Sequence, residues 1–176
     1  MDNSFVITYI SVLLVLLSIA AWFVFRQVLK TRRVESRLFQ LQKKLKEQPG
    51  TAIEYYELGS LYLDKKLFSQ AAELFKKALK AKDLEGEENM ALIYNALGFA
   101  YSALEQYDLA IRQYKEALKL QPEYVTALNN IGYAYERKNL TSQALASYEE
   151  ALKYEPKNAT AKSRSESMRR RLVETA

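Results

Sequence analysis

The sequence predicts an all-α protein, with an N-terminal transmembrane helix, a solenoid of three helical repeats and a C-terminal capping helix. Three observations support this fold class. An uncharged run of 21 residues lies near the N-terminus, and a set of matched residues recurs through most of the remaining chain at intervals near 34 residues. The 176 residues also include only five glycines and three prolines, so long helices are rarely interrupted. Repetition at such a period is typical of solenoids, in which each unit packs on its neighbours.

The first element, residues 1–25, is predicted to be a membrane anchor. The run from Phe5 to Phe25 carries no charge, and 21 residues in a helix span about 31 Å, which matches a bilayer core. A cleaved signal peptide is the alternative, but its basic residues would precede the apolar run, whereas here they follow it from Arg26 onward. Basic residues stay on the cytoplasmic side of an anchor. We therefore expect a single-pass protein with its repeats on the cytoplasmic or stromal side.

The second element, residues 26–50, is predicted to be a basic helical stem. It carries eight basic and two acidic side chains and has no helix breaker before Pro49 and Gly50. The central residues 51–160 carry 13 basic and 16 acidic side chains, so the net charge of +5 arises from the flanks. Basic residues beside an anchor can each gain about 1 kcal/mol near anionic headgroups. We therefore expect the stem and residues 5–25 to contact lipid, and we expect no nucleic-acid partner.

The third element, residues 51–158, contains three repeats, predicted at about 52–85, 91–124 and 125–158. Each repeat has a glycine, an alanine twelve residues later, an aromatic residue four further on and an alanine three beyond that. These positions are Gly59, Ala71, Phe75 and Ala78, then Gly98, Ala110, Tyr114 and Ala117, then Gly132, Ala144, Tyr148 and Ala151. Small residues allow two antiparallel helices to approach closely, so the pattern predicts a helix pair in each repeat.

Two further segments complete the chain. The first interval between glycines is five residues longer than the second, and the excess falls in the acidic segment Asp83–Glu88, either as a tolerated insertion or as a recognition loop. Residues 159–176 are predicted to form a capping helix that covers the last repeat. Its basic run, Arg169 to Arg171, would be solvated or would contact lipid or nucleic acid, and solvation is the expected case.

The matched positions resemble the tetratricopeptide repeat (TPR) over about residues 52–158. This resemblance implies a right-handed helical solenoid whose concave groove, lined by the first helix of each repeat, binds a protein segment. At the groove offsets of the family, the expected protein-binding residues are Tyr56, Ser60, Leu63, Asn95, Phe99, Asn129, Asn130, Tyr133 and Arg137. Some of them could instead cover the stem or a segment folded back into the groove. The cationic clamp of the family's chaperone-binding members is missing, because its offsets read Tyr56, Ser60, Ala96, Thr126 and Asn130.

The combination of anchor, stem and three repeats is similar to the membrane-anchored TPR proteins that assist photosystem I assembly in cyanobacteria and plastids. This resemblance implies a thylakoid membrane, with photosystem I subunits or assembly intermediates as partners. The alternative is a generic bacterial inner-membrane TPR scaffold for envelope or secretion complexes. An enzyme is not expected, because the chain has no cysteine and no histidine and shows no nucleophile paired with a base. The sequence predicts no catalytic residue, no cofactor and no metal site.

Overall fold

The computed structural model describes the backbone of residues 3–174 and the side chains of residues 8–29 and 31–174. This part of the chain is helical and contains no strand, which confirms the predicted fold class. Its helices are α1 (Asn3–Glu47), α2 (Ala52–Asp64), α3 (Phe68–Leu79), α4 (Glu87–Ala103), α5 (Tyr107–Leu120), α6 (Val125–Arg137), α7 (Thr141–Tyr154) and α8 (Ala159–Glu174). The contacts divide the chain into two compact units, residues 1–47 and residues 48–176.

The first unit is dominated by α1, a continuous helix of 45 residues. At 1.5 Å per residue it is about 67 Å long, so the apolar run and the stem belong to one helix. The part of α1 from Thr8 onward is long and apolar enough to cross a membrane, with a mean hydropathy of 2.3 over its most apolar 18 residues and none of that window buried. The helix ends just before Pro49, which cannot supply a backbone amide.

In the second unit, α2 packs on α3, α4 on α5 and α6 on α7, and each pair packs on the next. The glycine of each first helix lies under the aromatic ring of its partner helix. A Cβ atom built on Gly59 would lie 2.7 Å from the Phe75 ring, and one on Gly98 would lie 2.6 Å from the Tyr114 ring. Gly132 has the same relation to Tyr148, at 2.8 Å. The close approach predicted from the small residues is thus made by an aromatic ring lying on a glycine.

The alanines of the repeat pattern form the remainder of this close packing. Six alanines of the second helices have no exposed surface: Ala71, Ala78, Ala110, Ala117, Ala144 and Ala151. Buried apolar side chains of α5, α6 and α7 join with Met168 of α8 in one cluster, and those of α3 and α4 form a second cluster. Tyr101 of α4 packs against both clusters. The array therefore has a core that runs through successive repeats, as the solenoid prediction requires.

The turns within the three pairs share one backbone conformation. Lys66, Glu105 and Asn139 each lie seven residues after the repeat glycine, and their φ angles are +60°, +60° and +58°. The next amide in each turn donates to a carbonyl five residues earlier, at 2.8 to 2.9 Å. This is the left-handed C-terminal cap that commonly ends a helix. The repeat period therefore also fixes where each first helix ends.

The acidic insertion is partly helical. α4 begins at Glu87, earlier than the start near residue 91 that the sequence predicted, and is 17 residues long, against 13 for α2 and α6. Gly86 precedes it with a φ of +82°, a conformation that favours glycine. Glu87 and Glu88 occupy its first turn, where negative charge stabilises a helix. Part of the five extra residues thus adds about one turn to α4.

The last helix, α8, packs on α7 as the first helix of another pair would. Its buried residues are Ala161, Ser165 and Met168. Glu166 stands 34 residues after Gly132, so the position that elsewhere accepts an aromatic ring carries an exposed carboxylate. With glutamate in place of glycine, α8 lacks the position at which the second helix of a repeat lies close to the first.

Candidate partner-binding groove

The first helices of the repeats form the inner face of the array. α2 contacts α4, and α4 contacts α6, whereas no comparable contact joins α3 to α5 or α5 to α7. Successive helices that touch lie on the shorter, concave side of a curved array. We call the concave face of α2, α4 and α6 the groove. The sequence-predicted site residues all belong to these three helices.

The groove exposes aromatic side chains in its second and third repeats. Phe99 is 46% exposed and Tyr133 is 38% exposed, and each immediately follows the glycine of its repeat. Because the repeats stack in register, the two rings occupy equivalent places on neighbouring helices. Two large, stiff aromatic groups on one concave face are well suited to anchoring a protein segment at a low cost in side-chain entropy.

The predicted residues of the first repeat are more involved in packing. Tyr56 is half-buried, and its ring lies tilted against the ring of Phe75 with 5.7 Å between centroids. Leu63 is half-buried against the same apolar cluster. The Ser60 hydroxyl donates to the carbonyl of Tyr56 at 2.9 Å. Of the three aromatic residues predicted to bind a partner, Phe99 and Tyr133 are therefore the exposed ones, because the ring of Tyr56 supports the first helix pair.

The asparagines of the groove connect successive first helices. Asn130 donates through Nδ2 to Oδ1 of Asn95 at 2.9 Å, and Asn95 lies 3.4 Å from the hydroxyl of Tyr124. Asn129 donates to Oδ1 of Asn158 at 3.3 Å, and that oxygen also accepts from the first turn of α8. Within the described residues, Oδ1 of Asn129 is buried and accepts no hydrogen bond. The predicted amides are thus brought together, but they are already engaged in holding α4, α6 and α8 in register.

A charged cluster lies where α6 meets the capping helix. The Glu136 side chain is only 10% exposed and accepts from Arg164 at 3.2 Å, and Arg171 lies 3.5 Å away. The hydroxyl of Tyr148 lies 3.4 Å from the same carboxylate. Burial raises the pKa of Tyr148 well above its usual value, and the negative charge of Glu136 raises it further. The charge of Glu136 is therefore balanced by the arginines that connect α6 to α8. The exposed parts of these two arginines give this end of the groove a positive character.

Arg137, the last predicted site residue, is directed toward the neighbouring repeat. Its guanidinium lies 5.5 Å from the centroid of the Tyr107 ring and 3.9 Å from a carboxylate oxygen of Glu105. Arg164 was not among the predicted site residues, although it stands 34 residues after Asn130. Extending the repeat period into the capping helix would have indicated that position.

A pocket between the first two repeats is a further feature that the sequence analysis did not identify. It has a volume of about 120 Å³ and lies between α2, the insertion and α4. Its walls are Ala52, Ile53, Tyr56, Asp83, Leu84, Glu85, Asn89, Leu92 and Ile93. We call it the insertion pocket. The insertion forms one of its walls, so the extra residues contribute to the surface of the groove.

An array of helix pairs with a concave face bearing exposed aromatic rings is a protein-interaction scaffold of the helical-repeat class. Family models described as "TPR repeat" and "Tetratricopeptide repeat" match residues 98–139 and residues 55–83 and 125–158, respectively. The protein ycf37 of Cyanophora paradoxa is 41% identical over 133 residues, which cover 74% of this chain and 75% of that protein. The chain therefore belongs to the tetratricopeptide repeat family, together with that ycf37 protein.

Two other comparisons extend this result. The chloroplastic tetratricopeptide repeat domain-containing protein PYG7 of Arabidopsis thaliana is 36% identical over 129 residues, covering 73% of this chain but 42% of PYG7. The solved structure of the first TPR of Spaghetti (RPAP3), bound to an HSP90 peptide, superposes with a TM-score of 0.65 at 21% identity. It covers 72% of this chain and 96% of that one. At that identity the superposition establishes the fold alone.

Proposed function

We propose that this chain is a membrane-tethered scaffold that holds a protein segment in its groove and assists the assembly or stability of photosystem I at the thylakoid membrane. The main support for the binding role is that two aromatic rings, Phe99 and Tyr133, are exposed on adjacent first helices. Neither ring lies on a repeat glycine as the core rings do. Apolar side chains left on a concave face are typical of a surface that a partner covers.

The membrane tether is supported by the composition of α1. Its apolar segment is long enough to span a bilayer, and the residues after it are basic. Trp22 and Phe23 lie near the end of this segment, and the guanidinium of Arg26 lies 5.5 Å from the Trp22 ring centroid. Aromatic and basic side chains of this kind favour the membrane interface. Residues 5–25 and the stem would thus contact lipid, with the repeats on the cytoplasmic or stromal side.

The photosystem I role is supported by the similarity to a chloroplastic tetratricopeptide protein and by the physical advantage of a tethered groove. A subunit that joins a membrane complex must be held near its neighbours until permanent contacts form. Tethering two groups to one surface raises their effective concentration toward the millimolar range. A groove fixed to the thylakoid membrane would therefore speed assembly without becoming part of the finished complex.

The chemistry of this groove differs from that needed by a chaperone-tail receptor. Recognition of an acidic peptide, such as the HSP90 peptide SRMEEVD in the RPAP3 structure, calls for cationic side chains in the groove. The corresponding clamp positions here are Tyr56, Ser60, Ala96, Thr126 and Asn130, none of which is cationic. We therefore propose a partner other than the tail of a chaperone.

The test is a deletion strain complemented with four versions of the gene. The full chain should restore photosystem I accumulation, while photosystem II stays unchanged throughout. Variants that lack residues 1–25, or that carry Phe99→Ala with Tyr133→Ala, should fail to restore it. A Lys115→Ala variant, altered at an exposed position of α5 outside the groove, should behave as the full chain does. Unchanged photosystem I in the deletion strain under demanding light would reject this role and favour a scaffold for other membrane complexes.

Membrane topology is tested separately in sealed vesicles that expose the cytoplasmic or stromal face. Added protease should digest the repeats, while a carbonate wash should leave the anchor in the membrane. Full protection of the repeats would place them on the opposite side and would contradict the proposed orientation.

A further inference from the structure

We propose that the insertion pocket binds a bulky aliphatic side chain that is flanked by a lysine or an arginine in the partner segment. This inference rests on the proposed groove function and adds the chemical character of the segment that the groove selects. Three of the nine residues that line the pocket, Asp83, Leu84 and Glu85, belong to the acidic insertion. The pocket therefore lies between the first two repeats, where the first interval is five residues longer than the second.

The walls of the pocket are mainly apolar. Ile53 on α2 is 74% exposed, and Leu92 on α4 is 38% exposed, although neither is needed to pack the repeats. Leu84 and Ile93 lie behind them in the apolar cluster of the first two repeats. A cavity of about 150 Å³ can hold a benzene molecule. The volume of about 120 Å³ therefore fits a single side chain of the size of leucine, isoleucine or methionine.

The pocket is held open by interactions of the insertion itself. Both carboxylate oxygens of Asp83 accept from the backbone amide of Ala52, at 3.1 and 3.2 Å, which ties the insertion to the N-terminus of α2. Asn89 donates through Nδ2 to the carbonyl of Glu85 at 2.8 Å. The wall is thus formed before a ligand arrives, and a preformed wall lowers the entropic cost of binding.

The charges around the pocket favour a cationic neighbour. α2 and α4 contain five acidic residues and no lysine or arginine. Glu85 lines the pocket, and Glu88 lies one helical turn before Leu92 on the same face of α4. Within the described residues, neither Glu85 nor Glu88 forms an ion pair. The nearest lysine in sequence, Lys82, lines a neighbouring pocket with Lys77 and Lys80, on the other side of Asp83, which borders both pockets.

The opposite end of the groove is positively charged, because two arginines, Arg164 and Arg171, lie beside the single carboxylate of Glu136. A segment with a basic residue beside the insertion pocket therefore gains attraction at one end, whereas an acidic residue there would be repelled. Complementary charge of this kind fixes the orientation of a partner and excludes wrong partners. The occupant is accordingly a basic and aliphatic protein segment.

The experiment measures binding of synthetic peptides to the full chain in phosphatidylcholine nanodiscs by fluorescence polarisation. The probe is a labelled Gly/Ser peptide with a central Lys-Leu-Lys, compared with peptides that carry Glu-Leu-Glu or Lys-Gly-Lys at the same place. We expect the first peptide to bind about tenfold more tightly than either of the others. Its affinity should fall as salt is raised, and empty nanodiscs should not bind it.

Matched variants separate the pocket from the rest of the groove. Leu92→Ser and Glu85→Lys should each weaken binding of the Lys-Leu-Lys peptide about fivefold or more. Leu140→Ser, at a position of similar exposure outside the groove, and Glu123→Lys, at an exposed loop position, should leave it unchanged. Circular dichroism checks that every variant keeps its helical content.

Three results would overturn this inference. The peptides could bind with equal affinity, Leu92→Ser could behave like Leu140→Ser, or none of the peptides could bind. A change of oligomeric state with Leu92→Ser would instead identify a second copy of the chain as the occupant.

If the Glu-Leu-Glu peptide binds and requires Phe99, the groove function stands and only the pocket inference fails. The groove function itself is judged by photosystem I accumulation in the Phe99→Ala, Tyr133→Ala strain.

Discussion

Replacing Gly98 by alanine should destabilise the repeat array, even though alanine forms helices more readily than glycine. A Cβ at this position would lie 2.6 and 2.7 Å from two carbons of the Tyr114 ring and 3.0 Å from a third. Tyr114 is 1% exposed, so its ring cannot move away into solvent. The substitution therefore forces the paired helices α4 and α5 apart or displaces a ring inside the core.

The expected magnitude follows from two opposing contributions. Overpacking a core costs about 1 to 3 kcal/mol, and the upper part of this range applies because three ring atoms lie within 3.0 Å. The gain in helix propensity from glycine to alanine offsets about 1 kcal/mol of that cost. We expect a net loss of about 1 to 2 kcal/mol. For a unit of this size, each kcal/mol lowers the melting temperature by about 4 °C.

The assay is thermal unfolding of the full chain in detergent, followed by circular dichroism. Ser163→Ala on the exposed face of α8 is the control for propensity, and it should raise the melting temperature slightly. Tyr114→Leu removes the ring atoms that the new Cβ would meet. In that background Gly98→Ala should no longer be destabilising. If Gly98→Ala raises the melting temperature of the wild type, or costs the same in both backgrounds, the account of ring-on-glycine packing is wrong.

The remaining stability predictions concern two turns, a helix cap and one buried hydroxyl. Lys66→Gly should stabilise the array by up to about 1 kcal/mol in urea unfolding, because Lys66 has a φ of +60°, which favours glycine. Asn139→Gly should stabilise the array by less, because asparagine tolerates that conformation. Asp83→Ala should cost about 1 kcal/mol in the same assay, because the amide of Ala52 loses its acceptor, whereas Asp83→Asn should cost less. Burial raises the pKa of Tyr114 in the folded state above the value near 10 that tyrosine has in the unfolded chain. The stability contributed by the buried, protonated hydroxyl is therefore fully present below about pH 10 and is lost as the pH rises above that value, where the unfolded chain gives up this proton more readily. Urea midpoints should therefore fall in alkaline buffer, and less so in Tyr114→Phe.

The repeat period alone predicted most of the fold, because the residues that set it are also the ones that fix the helix crossings. Gly98, Ala110 and Tyr114 recur with the spacing of a helix pair, and the structure places them in contact or in the core. The start of α4 was not predictable in the same way. An acidic stretch such as Glu87 and Glu88 suits a solvated loop as well as the first turn of a helix.

The groove was predicted less completely, because periodicity gives the face on which a residue lies but not the direction of its side chain. Tyr56 occupies a groove offset, yet its ring packs on Phe75. Asn130 also occupies a groove offset, and it bonds to Asn95 of the preceding first helix. Arg164 lies in the segment predicted to be a capping helix and was not predicted as a site residue, and its ion pair with Glu136 brings it beside the groove. These contacts depend on the packing of successive helices, which a single repeat does not reveal.

The central claim, that the groove of the tethered chain holds a photosystem I protein during assembly, is tested most directly by site-specific photocrosslinking in photosynthetic membranes. A photoreactive phenylalanine analogue replaces Phe99 in the groove or, as the control, Lys115 on an exposed face of α5. We predict that illumination links position 99 to a photosystem I subunit, while position 115 forms no such adduct. Photosystem I adducts from position 115 alone, or none from position 99 in membranes that are actively assembling photosystem I, would contradict the account.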